Sequence, residues 1–371
     1  MKKIHFLLFF ISLSSSVFCQ LNNQAYEFPI LLDSGATKTL EFKADYFGYF
    51  KNNEYFGEIV EGRTYFGQQL HPKISYQPTE NVLLEAGLFV RQVFGENRLT
   101  ETKPTFSLKY QKNKFGFLLG NLEGSLQHGL IEPLYDFERV IDDRLENGIQ
   151  FLHKGKRFTG DWWINWRKSI QTGSTDQEEI EGAWNMKYKL VNKEKTSLEF
   201  ILQSVILHRG GQINSSALPV YTTMNNALGI QLNRSFNPSS FAKGISMQFY
   251  TVGFSVDSDS LSFRNGNGLY LNGSLETSAG TFIASYWKGE GFVNILGGDI
   301  YSSVSRFRNF TEPTREILVF RWLKDFQLSS HCQLSVRAEP YYDFQNSLFE
   351  YSIGVYANYR LNVKIPTKQR Q

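Results

Sequence analysis

Acid–base or nucleophilic chemistry in this chain would have to run through five histidines, His71, His128, His153, His208 and His331, since His5 falls in the leader described below. None pairs with a Ser two residues away on the same strand, so no nucleophile is set beside its base by local spacing. No Gly-rich phosphate cradle and no zinc-ligand spacing occurs, and Gly266-Asn267-Gly268 reads as a turn. Asp257-Ser258-Asp259 supplies too few oxygens for a calcium cage and reads as a solvated loop. The expectation is a protein without a catalytic site, metal or cofactor.

The remaining chemistry is charge. Basic residues stand on one face of several alternating segments, Lys109, Arg167, Lys187, Arg337 and Arg360 among them. Seven acids stand between Glu123 and Glu146 in a segment that also holds Leu130, Ile131, Leu134 and Tyr135. A connection this long that carries apolar anchors is expected to be structured.

The elements that position these groups follow an export signal. Met1, Lys2 and Lys3 precede an apolar run to Phe18 and a Ser-Ser-Ser stretch, the layout of a cleaved secretory leader. Cleavage just before Gln20 is expected, with acylation of Cys19 as an alternative that Phe18 disfavours. Loss of Cys19 would leave Cys332 alone, which excludes a disulfide framework and a Cys-based metal site. The charge of +3 gives no reason to expect nucleic acid as a partner. After the leader no apolar run approaches the ~20 residues of a membrane-spanning helix. Yet aromatics reach 15%, with 32 Phe and 19 Tyr.

Apolar residues recur at every second position instead. Tyr351, Ile353, Val355, Ala357, Tyr359, Leu361 and Val363 alternate with Ser352, Gly354, Tyr356, Asn358, Arg360 and Asn362. Leu334, Val336, Ala338, Pro340, Tyr342 and Phe344 do the same, as do Val82 to Val90, Trp162 to Trp166 and Trp184 to Leu190. A period of two over about ten residues is the pattern of strands with one face in lipid. Short polar turns, near 77–81, 112–114, 154–156, 191–196, 237–243, 277–280 and 329–332, alternate with longer connections. These lie near 52–68, 94–104, 121–147, 170–180, 208–225, 257–267 and 289–313, with a short final one near 345–347. The expectation is an all-β chain, a single antiparallel transmembrane β-barrel of about 16 strands with short periplasmic turns and longer external loops, in the cell outer membrane. The divisions are 1–19 leader, 20–36 periplasmic N-terminal segment, 37–364 barrel and 365–371 periplasmic tail.

Strand number, loop order and the position of 121–147 after the fifth strand resemble the sixteen-stranded porins of Gram-negative outer membranes. The resemblance spans the mature chain but is architectural, without a diagnostic motif, and the basic tail after Tyr359 departs from the usual aromatic ending. It implies a loop folded into the lumen, with Glu132, Asp136, Glu138, Asp142 and Asp143 facing Lys109, Arg167, Lys187, Arg337 or Arg360 as a constriction. The other reading, a cap over the outside, stays open. The leading expectation is an outer-membrane channel for passive diffusion of small polar solutes, its partners being outer-membrane lipid, those solutes and a homo-oligomer or outer-membrane complex. The alternatives are a closed barrel serving as a structural or accessory subunit and, with least support, a barrel lipid hydrolase.

Overall fold

The computed structural model describes residues 26–366 except 214, 259 and 260. The leader 1–19, the end of the tail at 367–371 and Asp259 of the acidic loop lie outside the described residues. Sixteen strands alternate along the chain. They are β1 (Leu40–Glu54), β2 (Thr64–Thr79), β3 (Val82–Val93), β4 (Glu101–Lys112), β5 (Phe115–Asn121), β6 (Asn147–Lys154), β7 (Phe158–Lys168) and β8 (Glu179–Lys193). They continue as β9 (Thr196–Arg209), β10 (Tyr221–Ser235), β11 (Ala242–Val256), β12 (Asn265–Thr277), β13 (Gly280–Glu290), β14 (Thr314–Gln327), β15 (Cys332–Asp343) and β16 (Leu348–Ile365).

Every strand pairs antiparallel with its neighbours in sequence, and β1 pairs β16 from Leu40↔Ile365 to Glu54↔Tyr351, so the sheet closes into a barrel. Closure removes the free edges that lipid could not hydrogen-bond. The strands run longer than the alternation alone suggests, because the ladders extend past the apolar band; β8 and β9 meet across a turn of only two residues, 194–195. The period of two sorts the side chains. Phe349, Tyr351, Ile353 and Val355 of β16 are exposed on the outer face, while Ser352, Tyr356 and Asn358 are buried inside.

The core sits in the lumen. The connection after β5, residues 122–146, folds inward and carries a one-turn helix α1 (Arg139–Asp142). The connection after β13, residues 291–313, folds inward to meet it, with Tyr135 bridging Leu296 and the Asp136 N–H donating to the Leu296 carbonyl at 2.8 Å. Leu130, Ile131, Leu134, Leu296 and Tyr301 from these loops pack with Tyr250, Trp287 and Ile317 of the wall. Buried loop backbone needs partners, and inward-facing wall amides supply them. Gln69 Nε2 donates to the carbonyls of Val140 (3.0 Å) and Ile141 (2.7 Å). Gln203 receives the Ile131 N–H at 3.0 Å, Asn185 donates to the His128 carbonyl at 2.8 Å, and Asn225 receives the Ile295 N–H at 2.8 Å. Tyr26 to Ile30, part of the segment assigned above to the periplasm, also pack inside the barrel: Arg144 donates to the Tyr26 carbonyl at 2.8 Å and Lys109 to that of Ile30.

Candidate functional site

The acids of the inward loop meet bases of the wall, but mostly not the bases expected. Asp143 does face Arg167, at 2.9 Å. Glu138 instead holds Lys51 at 2.7 Å, together with Asn53 and Tyr65, and Glu132 holds Arg321 and the Tyr301 hydroxyl. Asp136 accepts the N–H of Glu138 at 3.2 Å, and Asp142 is exposed. Among the named bases, Lys109 pairs with Glu123, and Arg337 lies 2.9 Å from Glu339 and 3.6 Å over the Phe137 ring. Arg360 donates to the Glu27 carbonyl, and Lys187 faces inward on β8. These groups fasten loop to wall along the barrel and do not gather into one ring. Alternation gave the inward face correctly, but not which residues share a height on it, because height depends on strand tilt and register.

Two histidines lie inside. His128 is 2% exposed and both its nitrogens are taken, Nε2 by Glu146 at 2.7 Å and Nδ1 by Asp161 at 2.8 Å. Only an imidazolium donates from both nitrogens, so this ring is held charged. Trp163 stacks on it at 3.4 Å between centroids, 6° from parallel. A ring so held has no free nitrogen with which to take up a proton.

His71 differs. It stands on the inner face of β2, and its Nε2 lies 2.8 Å from the Thr105 hydroxyl on β4. The two strands are not neighbours, since β3 runs between them, and the contact exists because the intervening inward position is Gly87. Gly87 pairs with Lys73 on one side and with Thr105 on the other, and a Cβ there would meet the Pro72 carbonyl at 2.4 Å. The missing side chain lets the imidazole reach across a strand. His71 and Thr105 line a small cavity, in part open to solvent, with Lys73, Glu85, Ser107 and Arg144. Lys73 is neutralised by Asp45 at 2.9 Å and Glu85 at 3.3 Å. Arg144 spends Nε on Gln69 (2.6 Å) and one terminal nitrogen on Tyr26, leaving its other terminal nitrogen buried without a partner among the described residues. The cavity therefore combines a hydroxyl on an imidazole nitrogen with an unspent cationic donor. With its proton on Nδ1, a neutral His71 can accept a hydrogen bond from the Thr105 hydroxyl, the arrangement in which an imidazole can act as base toward a hydroxyl.

The sequence offered His71 only as one of five histidines without a local nucleophile and did not point to Thr105, because the pair lies on two different strands. The legible signal was a glycine in the alternation of β3, flanked on the adjoining strands by a histidine and a threonine of the same inward parity.

Comparison with known proteins agrees on the architecture. The structure is similar to a loop L8 deletion mutant of OmpT, an outer-membrane protein of Vibrio cholerae, at 10% identity over 87% of this chain and 99% of that one, with a TM-score of 0.52. It is similar to OprD of Pseudomonas aeruginosa at 10% identity over 90% and 100% of the chains, TM-score 0.51. OmpT of Vibrio cholerae expressed in the outer membrane gives 8% identity over 90% and 100%, TM-score 0.52. Such likeness shows the porin-like fold; the closed barrel with its apolar outer face places the chain in the outer membrane. No curated protein matches the chain. Residues 32–368, which take in all sixteen strands, match the family described as lipid A 3'-O-deacylase-type. That match corrects the expectation of a non-enzyme, which rested on the absence of a nucleophile and base on one strand; the His71–Thr105 contact spans three. The chain belongs to the lipid A 3'-O-deacylase-type family.

Proposed function

We propose that the chain hydrolyses an acyl ester of an outer-leaflet lipid, with Thr105 as nucleophile and His71 as its base. The observation that carries this reading is the 2.8 Å contact between His71 Nε2 and Thr105 Oγ1 at a cavity in the wall of an outer-membrane barrel. Thr105 Oγ1 adds to the ester carbonyl as His71 Nε2 takes its proton. His71 returns that proton to the departing alkoxide, leaving an acyl-threonine. A water, deprotonated by the same nitrogen, then releases the fatty acid and restores the hydroxyl. The unspent nitrogen of Arg144 is available to the carbonyl oxygen as it becomes negative, or to a phosphate on the same lipid.

Family membership supports the ester as the bond attacked. Passive diffusion of small solutes has the porin-like fold behind it. The filled lumen supports the closed-barrel alternative instead, since both long connections bond to the wall across it. Mass spectrometry of outer-membrane lipid from cells expressing the chain tests the proposal. Loss of one acyl chain is expected, and its persistence with His71→Ala and Thr105→Ala would overturn the assignment. In a planar bilayer the folded protein should show no discrete conductance; steady single-channel steps would return the channel reading to first place.

A further inference from the structure

The barrel wall is not of even height. β4 has 12 residues and β7 has 11, but β5 between them has seven and β6 has eight. The β4–β5 ladder ends at Ser107↔Gly120 and the β6–β7 ladder at Gly148↔Asn165. Above those pairs, Glu101 to Thr105 of β4 pair only with β3, and Trp166 and Lys168 of β7 pair only with β8. The hairpin has left the wall: the Leu122 N–H still donates to the Glu146 carbonyl at 3.0 Å, but both residues are already buried in the lumen. Gly120, at φ +98°, makes the bend, and no side chain fits there because a Cβ would meet the Phe106 carbonyl at 2.2 Å.

What remains is a notch about 14 Å wide, three strand spacings. Seven residues at the usual tilt rise about 18 Å, short of an apolar band of about 25 Å, so the notch opens at the depth of the outer leaflet. Its floor is hemmed by three asparagines. Asn121 Oδ1 accepts the Phe106 N–H at 2.8 Å, its Nδ2 donates to Asn147 Oδ1 at 2.6 Å, and Asn165 Oδ1 accepts the Asn147 N–H at 2.9 Å. Side chains thus satisfy strand ends that lipid could not. The outward-facing rings of Phe106 and Trp166, each 49% exposed, flank the gap. Phe106 and Asn121 also line the cavity that holds His71 and Thr105, so that cavity reaches the wall at the notch.

We propose that this notch is a lateral portal through which the acyl chain of an outer-leaflet lipid enters the barrel sideways; the inference rests on His71 and Thr105 as the reacting pair. It makes the portal, rather than the external mouth, the route of the substrate.

The test reads entry without reading hydrolysis. In full-length protein carrying Thr105→Ala, Phe28, which lines the cavity inside the wall, is replaced by the photoreactive p-benzoylphenylalanine. Irradiation in cells should give a lipid adduct at residue 28. Asn147→Trp at the floor of the notch, or Thr102→Trp on the free edge of β4, should lower the adduct at least fivefold in protein that retains its heat-modifiable gel migration. No adduct, or one indifferent to both tryptophans, overturns the portal even if His71→Ala abolishes hydrolysis. An adduct blocked by both substitutions, with hydrolysis unaffected by His71→Ala, keeps lipid entry and removes the catalytic pair.

Discussion

The two histidines inside the barrel show how surroundings decide what one residue type does. His128 lies between two carboxylates and against a tryptophan face, so every site on the ring is engaged and the ring is part of the fastening between loop and wall. His71 has the Thr105 hydroxyl as its one polar contact among the described residues, the Phe89 ring edge-on beside it, and faces a cavity. Both face the lumen, His128 buried and His71 half-buried. An inward position therefore does not mark a reactive histidine; an uncommitted nitrogen and space for a substrate do.

The largest effect expected from this contrast is on catalysis. His71→Ala or Thr105→Ala should each lower ester hydrolysis about 10³-fold, the scale of a lost base or nucleophile, with unchanged heat-modifiable migration. Thr105→Ser should keep measurable turnover, since the hydroxyl remains. Comparable in energy but different in kind, His128→Ala should destabilise the barrel by about 3–5 kcal/mol, because Glu146 and Asp161 lose the cation between them. Denaturant titration of the folded barrel reads this. Loss of hydrolysis in His128→Ala at undiminished stability would erase the distinction between the two rings.

Gly87→Val sharpens the comparison from the backbone side. Its branched side chain would stand between His71 and Thr105 and should cost about 10²-fold in turnover, leaving the His128 site untouched. Arg144→Gln should raise KM for an anionic lipid about tenfold with a smaller change in kcat, the loss expected for one charged hydrogen bond.

The smallest effect is a pH dependence. Burial pushes the Glu27 carboxyl up to about 7, against the opposing pull of Arg144 and the Leu126 N–H. A carboxyl raised in the folded state favours docking when protonated. The contribution is fully present below the ordinary carboxylate range and is lost as pH rises through about 7. Proteolytic nicking of the N-terminal segment should therefore increase from pH 5 to pH 8, and Glu27→Gln should flatten that rise.

Much of the architecture was legible because membrane strands impose a local rule. Tyr351 to Val363 could be placed on two faces from parity alone, and a turn near 191–196, which the structure narrows to 194–195, announced itself by composition. The site was less legible. Leu130, Ile131, Leu134 and Tyr135 marked 122–146 as a packed segment without saying what it packed against. Glu138 was expected opposite bases such as Arg167 and found Lys51, a residue of β1 that alternation places inward but not at that height.

The sequence by itself determined the period of two, the strand count, the inward and outward faces and the membrane that such faces require, since each depends only on residues near one another along the chain. Only the tertiary structure decided that the lumen is filled, that His128 is bound on both sides while His71 reaches Thr105 over Gly87, and that the β5–β6 hairpin leaves a notch in the wall. These depend on register and closure across strands far apart in sequence. A ring of paired strands fixes such relations as a whole, so no single stretch of residues encodes them.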